Sequence, residues 1–535
     1  MPGCLSIVLH AHLPFVRHAE HERFLEESWL YEATIESYLP LLEVFEGWRR
    51  DGIPARVALV LSPTLCVMLE DSLLRRRFAA RLDQWVGLAE QEVARTRFEP
   101  EFNRNARMYR ERFPRLRELY RQAQGDLVGA FRRCQEAGVI ELMTCAATHA
   151  VLPLWTRPIS GLRAQVRTAV ERHERCFGVR PRGFWLPECA YAPAVEPVLK
   201  EHGIRWFLVD TRGLTHARPQ PRYGAYAPVI TPEGLAAFGR DPVSANQVWS
   251  REGGYPGDPG YRDFYRDIGF DLDLDYVEPF LPSPGQRGFT GLKYYRITGP
   301  GEPKEPYART AALERVEAHA ADFVARRVAH LEQLSSAMET PPIVVAPYDA
   351  ELFGHWWFEG PEFLDAVARR AVCARLPMLT PGDYLRNSPR HQVAAPGASS
   401  WGDAGYWRVW LNEANAWVYP PVLDAAEELE RLVKRHGEAS GFAGRALRLA
   451  SQELMQLQAS DWPFILSAGT HAAYARKRIA EHLERFRSLT GQLDQGEFAA
   501  DRIAAWERSD LLFGELTGPV AGKKPDAGIS RAVRR

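Results

Sequence analysis

The sequence lacks any arrangement of cysteines that suits a disulfide framework or a thiolate metal site. The cysteines are odd in number and scattered, with no CxxC pair among them: Cys4, Cys66, Cys134, Cys145, Cys176, Cys189 and Cys373. Disulfide frameworks usually contain an even number of cysteines, and structural zinc sites use closely spaced thiols. The pattern therefore predicts a protein of a reducing compartment, and we expect it to be cytoplasmic.

The sequence also lacks an excess of charge and a long hydrophobic run. Lys and Arg together number 67 against 68 Asp and Glu, so the net charge of −1 creates no global field to attract nucleic acid or an anionic membrane. No run of about 18 apolar residues is present to span a bilayer. The N-terminal MPGCLSIVLHAHLPF has no basic region of the kind that begins a signal peptide. We expect no nucleic-acid or membrane partner, and a neutral polymer or a small molecule fits better.

What the sequence does contain is a series of short apolar segments separated by turns. Seven of them are typical of strands buried on both faces of a parallel sheet, at residues 4–10, 55–62, 139–145, 182–187, 204–209, 234–239 and 342–347. Helical stretches such as 160–177 and 311–336 lie between them, which indicates a βα repeat in a barrel or a doubly wound sheet. Polar residues follow the strand ends, and in a βα barrel these ends meet at one rim. We therefore favour an α/β barrel with a single pocket.

Composition divides the chain further. The barrel is expected to take residues 1–69 and 136–419, and the Arg- and Glu-rich helical stretch 70–135 is expected to be an insertion. Residues 420–515 have the pattern of an all-α C-terminal domain, and the polar, basic tail 516–535 is predicted to be disordered. Segment 212–262 is dense in Pro, Gly, Tyr and Arg, which is typical of a lid or binding loop.

Two carboxylates follow predicted strands. Glu188 ends the run GFWLPE, and Asp349 ends IVVAPYD. A carboxylate at the end of an apolar strand costs free energy unless it is satisfied or used. A pair on one rim suits glycoside chemistry, in which one group protonates the leaving oxygen and the other attacks or stabilises the anomeric carbon. The alternative is that each carboxylate caps a helix or pairs with an arginine.

His10 and His12 form an H-x-H pair after the first strand, where residues i and i+2 point the same way. We favour neutral imidazoles that bind sugar hydroxyls. A catalytic metal site is the alternative, because some barrel hydrolases hold a metal with H-x-H, and it would recruit His149 and Asp210. No cysteine or HExxH element supports that site, so we expect no metal and no cofactor.

Aromatic residues are concentrated at 401–419, WGDAGYWRVWLNEANAWVY. Gly, Asp, Asn and Arg lie between them, which argues against a purely structural cluster. We therefore expect at least two to face a glycan cleft, from the set Trp401, Trp407, Trp410 and Trp417. For Trp29 core packing is the simpler interpretation, for Asp461 it is a surface position at a helix end, and Arg262 by itself is weak evidence.

The motifs, taken in order, resemble those of glycoside hydrolase family 57. They are HAHLPF at 10–15, ELMTCAATHAVLP at 141–153, GFWLPE at 183–188, PYDAELFGHWWFEGP at 347–361 and the Trp-rich stretch from 401. The length and the C-terminal QELMQLQASDW are most similar to the glycogen branching enzymes of that family. Each motif alone is weak evidence, whereas five in one order are specific.

The resemblance implies a retaining α-glucan enzyme on an incomplete (β/α)7 barrel, with a helical insertion, an all-α C-terminal domain and no metal. By motif, Glu188 would be the nucleophile and Asp349 the general acid/base. The loop with Tyr223 and Tyr226 resembles a mobile loop that shields the cleft. The residues expected to bind substrate are His10, His12, Trp29, His149, Arg262, His355, Trp401, Trp407, Trp410 and Asp461.

The reaction that the resemblance implies is cleavage of an α-1,4 bond and transfer of the chain to O6 of an α-glucan such as amylose, amylopectin or glycogen. We expect a monomer. Hydrolysis of the α-amylase type and 4-α-glucanotransfer stay open, because the same carboxylates can deliver the chain to water or to O4. A metal-dependent barrel hydrolase and a non-catalytic glycan-binding scaffold are the alternatives from other classes.

Overall fold

The computed structural model describes residues 3–250, 253–299, 303–437, 439–509 and 512–513. The tail expected to be disordered, 516–535, lies outside these residues. Across the described ranges no helix is both long and apolar enough to cross a membrane.

One sheet of eight strands forms the centre of the fold. The strands are β1 (Cys4–Ala11), β2 (Val57–Leu61), β3 (Ile140–Cys145), β4 (Gly183–Trp185), β5 (Trp206–Val209), β6 (Val229–Ile230), β7 (Ala236–Gly239) and β8 (Ile343–Asp349). Their order is β6-β7-β5-β4-β3-β2-β1-β8. All pairings are parallel except β6 with β7. The seven predicted strands are confirmed, whereas β6 was not predicted because two residues are too few to show a pattern.

The sheet curls towards closure without a continuous ladder between its ends. Just after β7, the backbone N–H of Asp241 donates to the carbonyl oxygen of Val345 in β8 at 2.8 Å. The N–H of Ile343, the first residue of β8, donates to the carbonyl oxygen of Tyr226 at 2.9 Å. These contacts bring the two ends of the sheet together, so the predicted fold class, an incomplete (β/α)7 barrel, is confirmed.

Helices cover the outside of the barrel and build the rest of the molecule. In chain order they are α1 (Glu27–Ala33), α2 (Leu39–Asp51), α3 (Pro63–Glu70), α4 (Ser72–Arg95), α5 (Pro100–Gln122), α6 (Leu127–Glu136), α7 (Ile159–Phe177), α8 (Glu196–Glu201), α9 (Thr211–Thr215), α10 (Pro242–Trp249), α11 (Ile268–Asp271), α12 (Leu274–Val277), α13 (Arg309–Ala337), α14 (Gly360–Cys373), α15 (Pro381–Asn387), α16 (Tyr419–His436), α17 (Gly441–Leu457), α18 (Asp461–Ala468), α19 (Ala472–Gln495) and α20 (Ala500–Ser509).

Strand β1 is mostly apolar because both of its faces are buried. Leu5 and Leu9 pack outwards among the helices, whereas Val8 packs inwards with Trp185 and Trp206, which fill the barrel. Side chains two residues apart share a face of a strand. His10 is therefore on the inner face, above Val8, at the carboxyl end of the barrel.

The helical stretch predicted at 70–135 contains α4, α5 and α6. Buried residues of α4 and α5 pack in the same hydrophobic cluster as the barrel helices. Trp85 of α4 donates its indole N–H to the carbonyl oxygen of Thr290 at 2.7 Å, and Asn105 of α5 donates to that of Tyr307 at 2.9 Å. This helical pair is therefore tied to the segment between α12 and α13.

The C-terminal helices α16 to α20 pack against the loops that follow β3 and β4. Ala459 and Ala150 form an isolated antiparallel bridge. The Gln165 amide donates to the side-chain oxygen of Gln458 at 3.0 Å. The turn between α17 and α18 thereby reaches the rim of the barrel.

Candidate active site

Glu188 lies three residues beyond β4 in an unusual backbone conformation. Its φ is 63° and that of Cys189 is 48°, both in the left-handed region. For residues other than glycine this region costs about 1–3 kcal/mol and persists only where the surroundings impose it. Here the Glu188 carbonyl oxygen accepts from the Trp401 backbone N–H at 3.0 Å. The turn aims the Glu188 carboxylate into the barrel mouth.

Two donors hold the carboxylate of Glu188. The indole N–H of Trp401 donates to Oε2 at 2.9 Å, and the hydroxyl of Ser460 lies 3.1 Å from Oε1. Burial raises the pKa of Glu188 to about 8, and the negative charges of Asp349 and Asp461 act in the same direction. The two donors oppose this shift, because hydrogen bonds to the ionised form favour it.

Asp349 is the last residue of β8 and is paired in register with His10 of β1. Its Oδ1 lies 3.3 Å from Nδ1 of His10, and about a third of its side chain (34%) is exposed. Its side chain makes no helix-capping hydrogen bond. Among the described residues, neither Asp349 nor Glu188 has a contact that caps a helix or pairs with an arginine, in contrast to the structural alternative.

Two imidazoles, those of His10 and His149, lie between the carboxylates, and a third, that of His12, lies against His149. His149 Nε2 is 3.1 Å from His10 Nε2, and the ring of His149 stacks on that of His12 at 4.0 Å. Burial lowers the pKa of both His10 and His149, so both rings are neutral at neutral pH. His12 contacts Ser62 Oγ through Nδ1 at 2.9 Å and Asp461 Oδ2 through Nε2 at 3.2 Å.

The structure therefore brings together six of the residues singled out in the sequence: His10, His12, His149, Glu188, Asp349 and Asp461. Asp210, a ligand in the metal alternative, caps α9 by accepting from the Arg212 N–H at 3.0 Å, and its carboxylate lies 4.0 Å from the Arg240 guanidinium. Among the described residues no group of three or more His, Cys, Asp and Glu side chains is arranged to hold a metal ion. The three rings instead stack and hydrogen-bond with one another.

Sequence reasoning missed two members of this network, Ser460 and Glu351. Ser460 is almost fully buried at the turn before α18 and precedes Asp461, which was noticed for its charge. Glu351 follows Asp349 by two residues, accepts from the backbone N–H of His12 at 3.1 Å and from the Tyr38 hydroxyl, and burial raises its pKa to about 8. The adjacent motif residues were the signal available for both.

The Trp-rich segment contributes unequally to the site. Trp401 is half-buried and contacts Glu188 directly, and Trp407 is also half-buried. Trp410 is buried against Val151 and Ala190. These two residues follow His149 and Glu188 by two positions each, so Trp410 supports the backbone that carries them. Trp417 is 40% exposed.

Trp29 and His355 lie at the periphery of this network. Trp29 packs edge-on against Tyr474 and His471 of the C-terminal region, which agrees with a packing role. His355 Nδ1 lies 2.7 Å from Glu36 Oε2, and its ring meets Trp356 edge-on. Trp356 is 53% exposed and offers a flat apolar surface near the Asp349 loop.

Arg262 is held inside the protein. Its guanidinium donates to Glu36 Oε1 at 3.0 Å and to the Tyr109 hydroxyl at 3.1 Å, and it stacks over Phe358. Only 1% of the Arg262 side chain is exposed. In this arrangement Arg262 orients Glu36, and a direct contact with substrate stays a prediction.

Tyr223 and Tyr226 lie far from the carboxyl end of β8. The hydroxyl of Tyr223 accepts from the N–H of Glu339, and the Tyr226 carbonyl oxygen accepts from Ile343. Both partners are at or before the amino end of β8, whereas Asp349 is at its carboxyl end. The structure does not bring these two tyrosines to the carboxylates, and a lid role for them stays a prediction.

Comparison with protein families gives two matches. The model of glycosyl hydrolase family 57 matches residues 6–396. A second model, described as the C-terminal domain of 1,4-alpha-glucan branching enzyme, matches residues 422–518. The second match includes the turn that carries Ser460 and Asp461.

Three individual proteins are similar over most of their length. The 1,4-alpha-glucan branching enzyme TK1436 of Thermococcus kodakarensis is 31% identical over 563 positions, covering 98% of this chain and 79% of that protein. The crystal structure of the alpha-amylase AmyC from Thermotoga maritima has a TM-score of 0.90 and 38% identity, covering 96% of this chain and 98% of the other. That of the GH57-type branching enzyme from Pyrococcus horikoshii has a TM-score of 0.88 and 30% identity, covering 98% of each chain.

Proposed function

Because the chain belongs to glycosyl hydrolase family 57, we propose that it is a 1,4-alpha-glucan branching enzyme with Glu188 and Asp349 as its catalytic pair. The observation that carries this proposal is the composition of the site. Ser460, which contacts Glu188, and Asp461, which contacts His12, come from the region that matches the branching-enzyme C-terminal model. The relatives from Thermococcus kodakarensis and Pyrococcus horikoshii are named branching enzymes and extend over nearly the whole chain.

In the first step Glu188 attacks the anomeric carbon of an α-1,4-linked glucose, and Asp349 protonates the departing O4. A covalent β-glucosyl ester forms on Glu188, and the reducing-end part of the donor leaves with a free O4 hydroxyl. In the second step Asp349 removes the proton from the O6 hydroxyl of an acceptor glucan, which attacks the ester and restores the α configuration. Two inversions give net retention.

The environments of the two groups support these roles. An attacking carboxylate must be ionised, and Glu188 has the Trp401 and Ser460 donors directed at it. Part of the rise in the pKa of Glu188 comes from the charge on Asp349. A protonated Asp349 removes that repulsion, so a proton on Asp349 and a charge on Glu188 stabilise each other. One proton is thus shared by the pair, as acid–nucleophile catalysis requires.

Transfer competes with hydrolysis, and the outcome depends on whether acceptor or water occupies the site. Half-buried Trp401 and Trp407 and exposed Trp356 offer apolar ring faces of the kind that stack on sugar rings. A glucan held on such faces reaches the ester at high effective concentration and displaces water. The substrates that we propose are amylose, amylopectin and glycogen, as donor and acceptor.

Hydrolysis of α-1,4 bonds is the second candidate, because the Thermotoga maritima structure that shares 38% identity is named an alpha-amylase. Both activities use the same carboxylate pair. They differ in whether the glucosyl ester is captured by O6 or by water.

The decisive experiment is incubation of linear amylose with the pure protein, followed by debranching and chain-length analysis. Branching gives new short chains after debranching with little gain in reducing ends before it. A gain in reducing ends without new branches would replace branching with hydrolysis. The variant Glu188→Gln controls for a contaminating activity. Loss of turnover after exhaustive chelation would favour the metal-dependent alternative, and the absence of any turnover would favour a glycan-binding scaffold.

A further inference from the structure

A continuous chain of close polar contacts joins the two carboxylates through the interior of the site. Glu188 Oε1 lies 3.1 Å from Ser460 Oγ, which lies 2.7 Å from His149 Nδ1. His149 Nε2 lies 3.1 Å from His10 Nε2, and His10 Nδ1 lies 3.3 Å from Asp349 Oδ1. Ser460, His149 and His10 are each 3% exposed or less, so water does not interrupt the chain.

We propose that Ser460, His149 and His10 form a proton relay that keeps Glu188 and Asp349 in opposite protonation states. This inference rests on the proposed function, because it assigns a use to the relay only if the two carboxylates act as nucleophile and acid. Ser460 and His149 are positioning residues in this scheme, since both act through the carboxylates.

The relay follows from the donors and acceptors that a neutral histidine offers, one of each. If Ser460 donates to an ionised Glu188, its oxygen accepts from His149 Nδ1–H. His149 Nε2 then accepts from His10 Nε2–H, which leaves His10 Nδ1 as an acceptor. That acceptor faces Asp349, so every contact is satisfied only when Asp349 carries a proton.

The same contacts are also satisfied when every donor and acceptor along the chain is exchanged, which we call the opposite polarity. In that arrangement the proton is on Glu188 and Asp349 is ionised. Asp349 gives its proton to His10 Nδ1, and His10 passes its Nε2 proton to His149 Nε2. His149 passes its Nδ1 proton to Ser460, whose own proton moves to Glu188. Four transfers move one net proton from Asp349 to Glu188, and no histidine carries a charge at the end.

One feature favours the polarity in which Glu188 is ionised. The indole N–H of Trp401 can only donate, and it contacts Glu188 Oε2 at 2.9 Å. The histidines are neutral in either polarity, because burial lowers the pKa of His10 and His149. The resting state therefore has a nucleophilic Glu188 and a protonated Asp349.

The same polarity helps the second step. Once Glu188 is an ester it cannot accept a proton, so the relay cannot reverse. His10 then presents its Nδ1 lone pair to Asp349 and cannot donate a hydrogen bond to it. Asp349 therefore receives no hydrogen bond from His10 that competes with the proton of the acceptor hydroxyl.

Other titratable groups surround the relay, and each belongs to an element packed against it. They are His12, which stacks on His149, Asp461 and Glu351, which contact His12, Arg240, which lies over Trp401, and the buried thiols of Cys145 and Cys189. None of these six provides a link in the chain described above. They set the local potential and are unchanged in the variants that test the relay.

The test measures kcat/KM of the variant Ser460→Ala with two glycosyl substrates, amylose and maltosyl fluoride. Amylose needs a proton on its leaving oxygen, whereas maltosyl fluoride has a leaving group that needs none. We expect kcat/KM on amylose to fall about tenfold to a hundredfold, the effect of losing one hydrogen bond to a charged group. The loss on maltosyl fluoride should be several times smaller. Ser467→Ala, an exposed serine of α18 whose hydroxyl contacts Asn412, is the matched control.

The pH profile separates a relay from mere packing. Loss of the hydrogen bond from Ser460 raises the pKa of Glu188. The acid limb of kcat/KM should therefore move to higher pH with both amylose and maltosyl fluoride. Loss of the fixed polarity lets His10 donate to Asp349, so the basic limb on amylose moves to lower pH. The profile on amylose should therefore narrow from both sides. A profile of lower height and unchanged width would overturn the relay.

A second break in the chain provides an independent check. In His149→Asn the amide replaces Nδ1, which contacts Ser460, and the shorter side chain lacks the Nε2 atom that reaches His10. Asparagine also tolerates the left-handed backbone of this position, where φ is 57°. If the relay acts as a unit, the double variant loses no more activity than the more damaged single variant. Additive losses would overturn the proposal.

The proposed function and the relay would be overturned by different results. Wild-type protein that turned over neither amylose nor maltosyl fluoride would overturn the proposed function and the relay with it. Wild-type protein that turned over both, with Ser460→Ala equal to Ser467→Ala on each, would overturn the relay alone.

Discussion

Two donors converge on Glu188, whereas Asp349 faces one imidazole and solvent. The surroundings of the two carboxylates thus differ by single hydrogen bonds. Each such bond contributes about 1.5–3 kcal/mol when it is made to a charged group. The contacts of each carboxylate therefore determine which one acts as the nucleophile and which one acts as the acid. The predictions for individual residues therefore concern charge and donors, with shape kept constant.

Glu188→Gln keeps the shape of the side chain and its contacts with Trp401 and Ser460, but removes the nucleophile. We expect branching to fall by about a thousandfold or more, since a neutral amide cannot form the ester. The measurement is turnover of amylose, with thermal unfolding to show that the fold is intact. Glu233→Gln, a surface residue paired with Lys200, is the control and should match wild type. Near wild-type branching in Glu188→Gln would reject the assignment.

Asp349→Asn tests the electrostatic coupling of the pair. Asparagine is neutral, as the protonated Asp349 of the resting state is, so Glu188 should keep its charge over the same pH range. With maltosyl fluoride, which needs no acid, the acid limb of kcat/KM should therefore stay at the pH of wild type. A limb at lower pH would show that the negative charge of Asp349, which raises the pKa of Glu188, is present in the resting wild type.

At the scale of elements, the site depends on the turn between α17 and α18 reaching the loop after β3. Gln165 of α7 holds this junction, since its amide donates to Thr148 Oγ1 at 2.8 Å and to Gln458 Oε1 at 3.0 Å. Its own oxygen accepts from the Thr148 N–H at 3.0 Å. His149, which follows Thr148, has a φ of 57°, and this left-handed conformation persists only where surrounding contacts hold it.

Gln165→Ala should therefore destabilise the protein and weaken catalysis together. Gln165 is fully buried, and losing its contacts leaves polar partners unsatisfied, which costs about 1–3 kcal/mol. Denaturant unfolding measures the stability, and amylose turnover measures the displacement of His149. Gln84→Ala, on the exposed face of α4, should change neither by a measurable amount. Loss of stability with full activity would mean that the junction does not position the site.

Elements were also the scale at which sequence reasoning succeeded. The seven predicted strands lie in continuous apolar runs because both of their faces are buried, so composition alone reveals them. Short β6 has no such run. Ser460 was missed because its role depends on a contact across 272 positions with Glu188, and only the neighbouring Asp461 marked that part of the sequence. Glu188 and Asp349 were found because a carboxylate at the end of an apolar strand costs free energy unless it is satisfied or used.

At the scale of the whole molecule, buried ionisable groups link stability to pH. Burial raises the pKa of Glu351 to about 8 and that of Glu453 to about 7, and it lowers the pKa of His173 to about 3. A raised carboxyl pKa means that the folded protein holds a proton that the unfolded chain has lost. Stability from these glutamates is then present at low pH and decreases as pH rises through the raised pKa. The histidine acts oppositely, and its cost grows as pH falls below about 6.5.

Glu351→Gln isolates the alkaline side of this balance. A glutamine mimics the protonated acid and keeps an acceptor for the His12 N–H and the Tyr38 hydroxyl. Between about pH 5 and pH 8 the wild type should lose about 1.4 kcal/mol per pH unit through this group, because the folded form holds one extra proton. The variant lacks that slope, so its stability relative to wild type should increase steadily with pH. Unfolding at several pH values measures the difference, and a difference independent of pH would show that Glu351 is ionised in the folded protein.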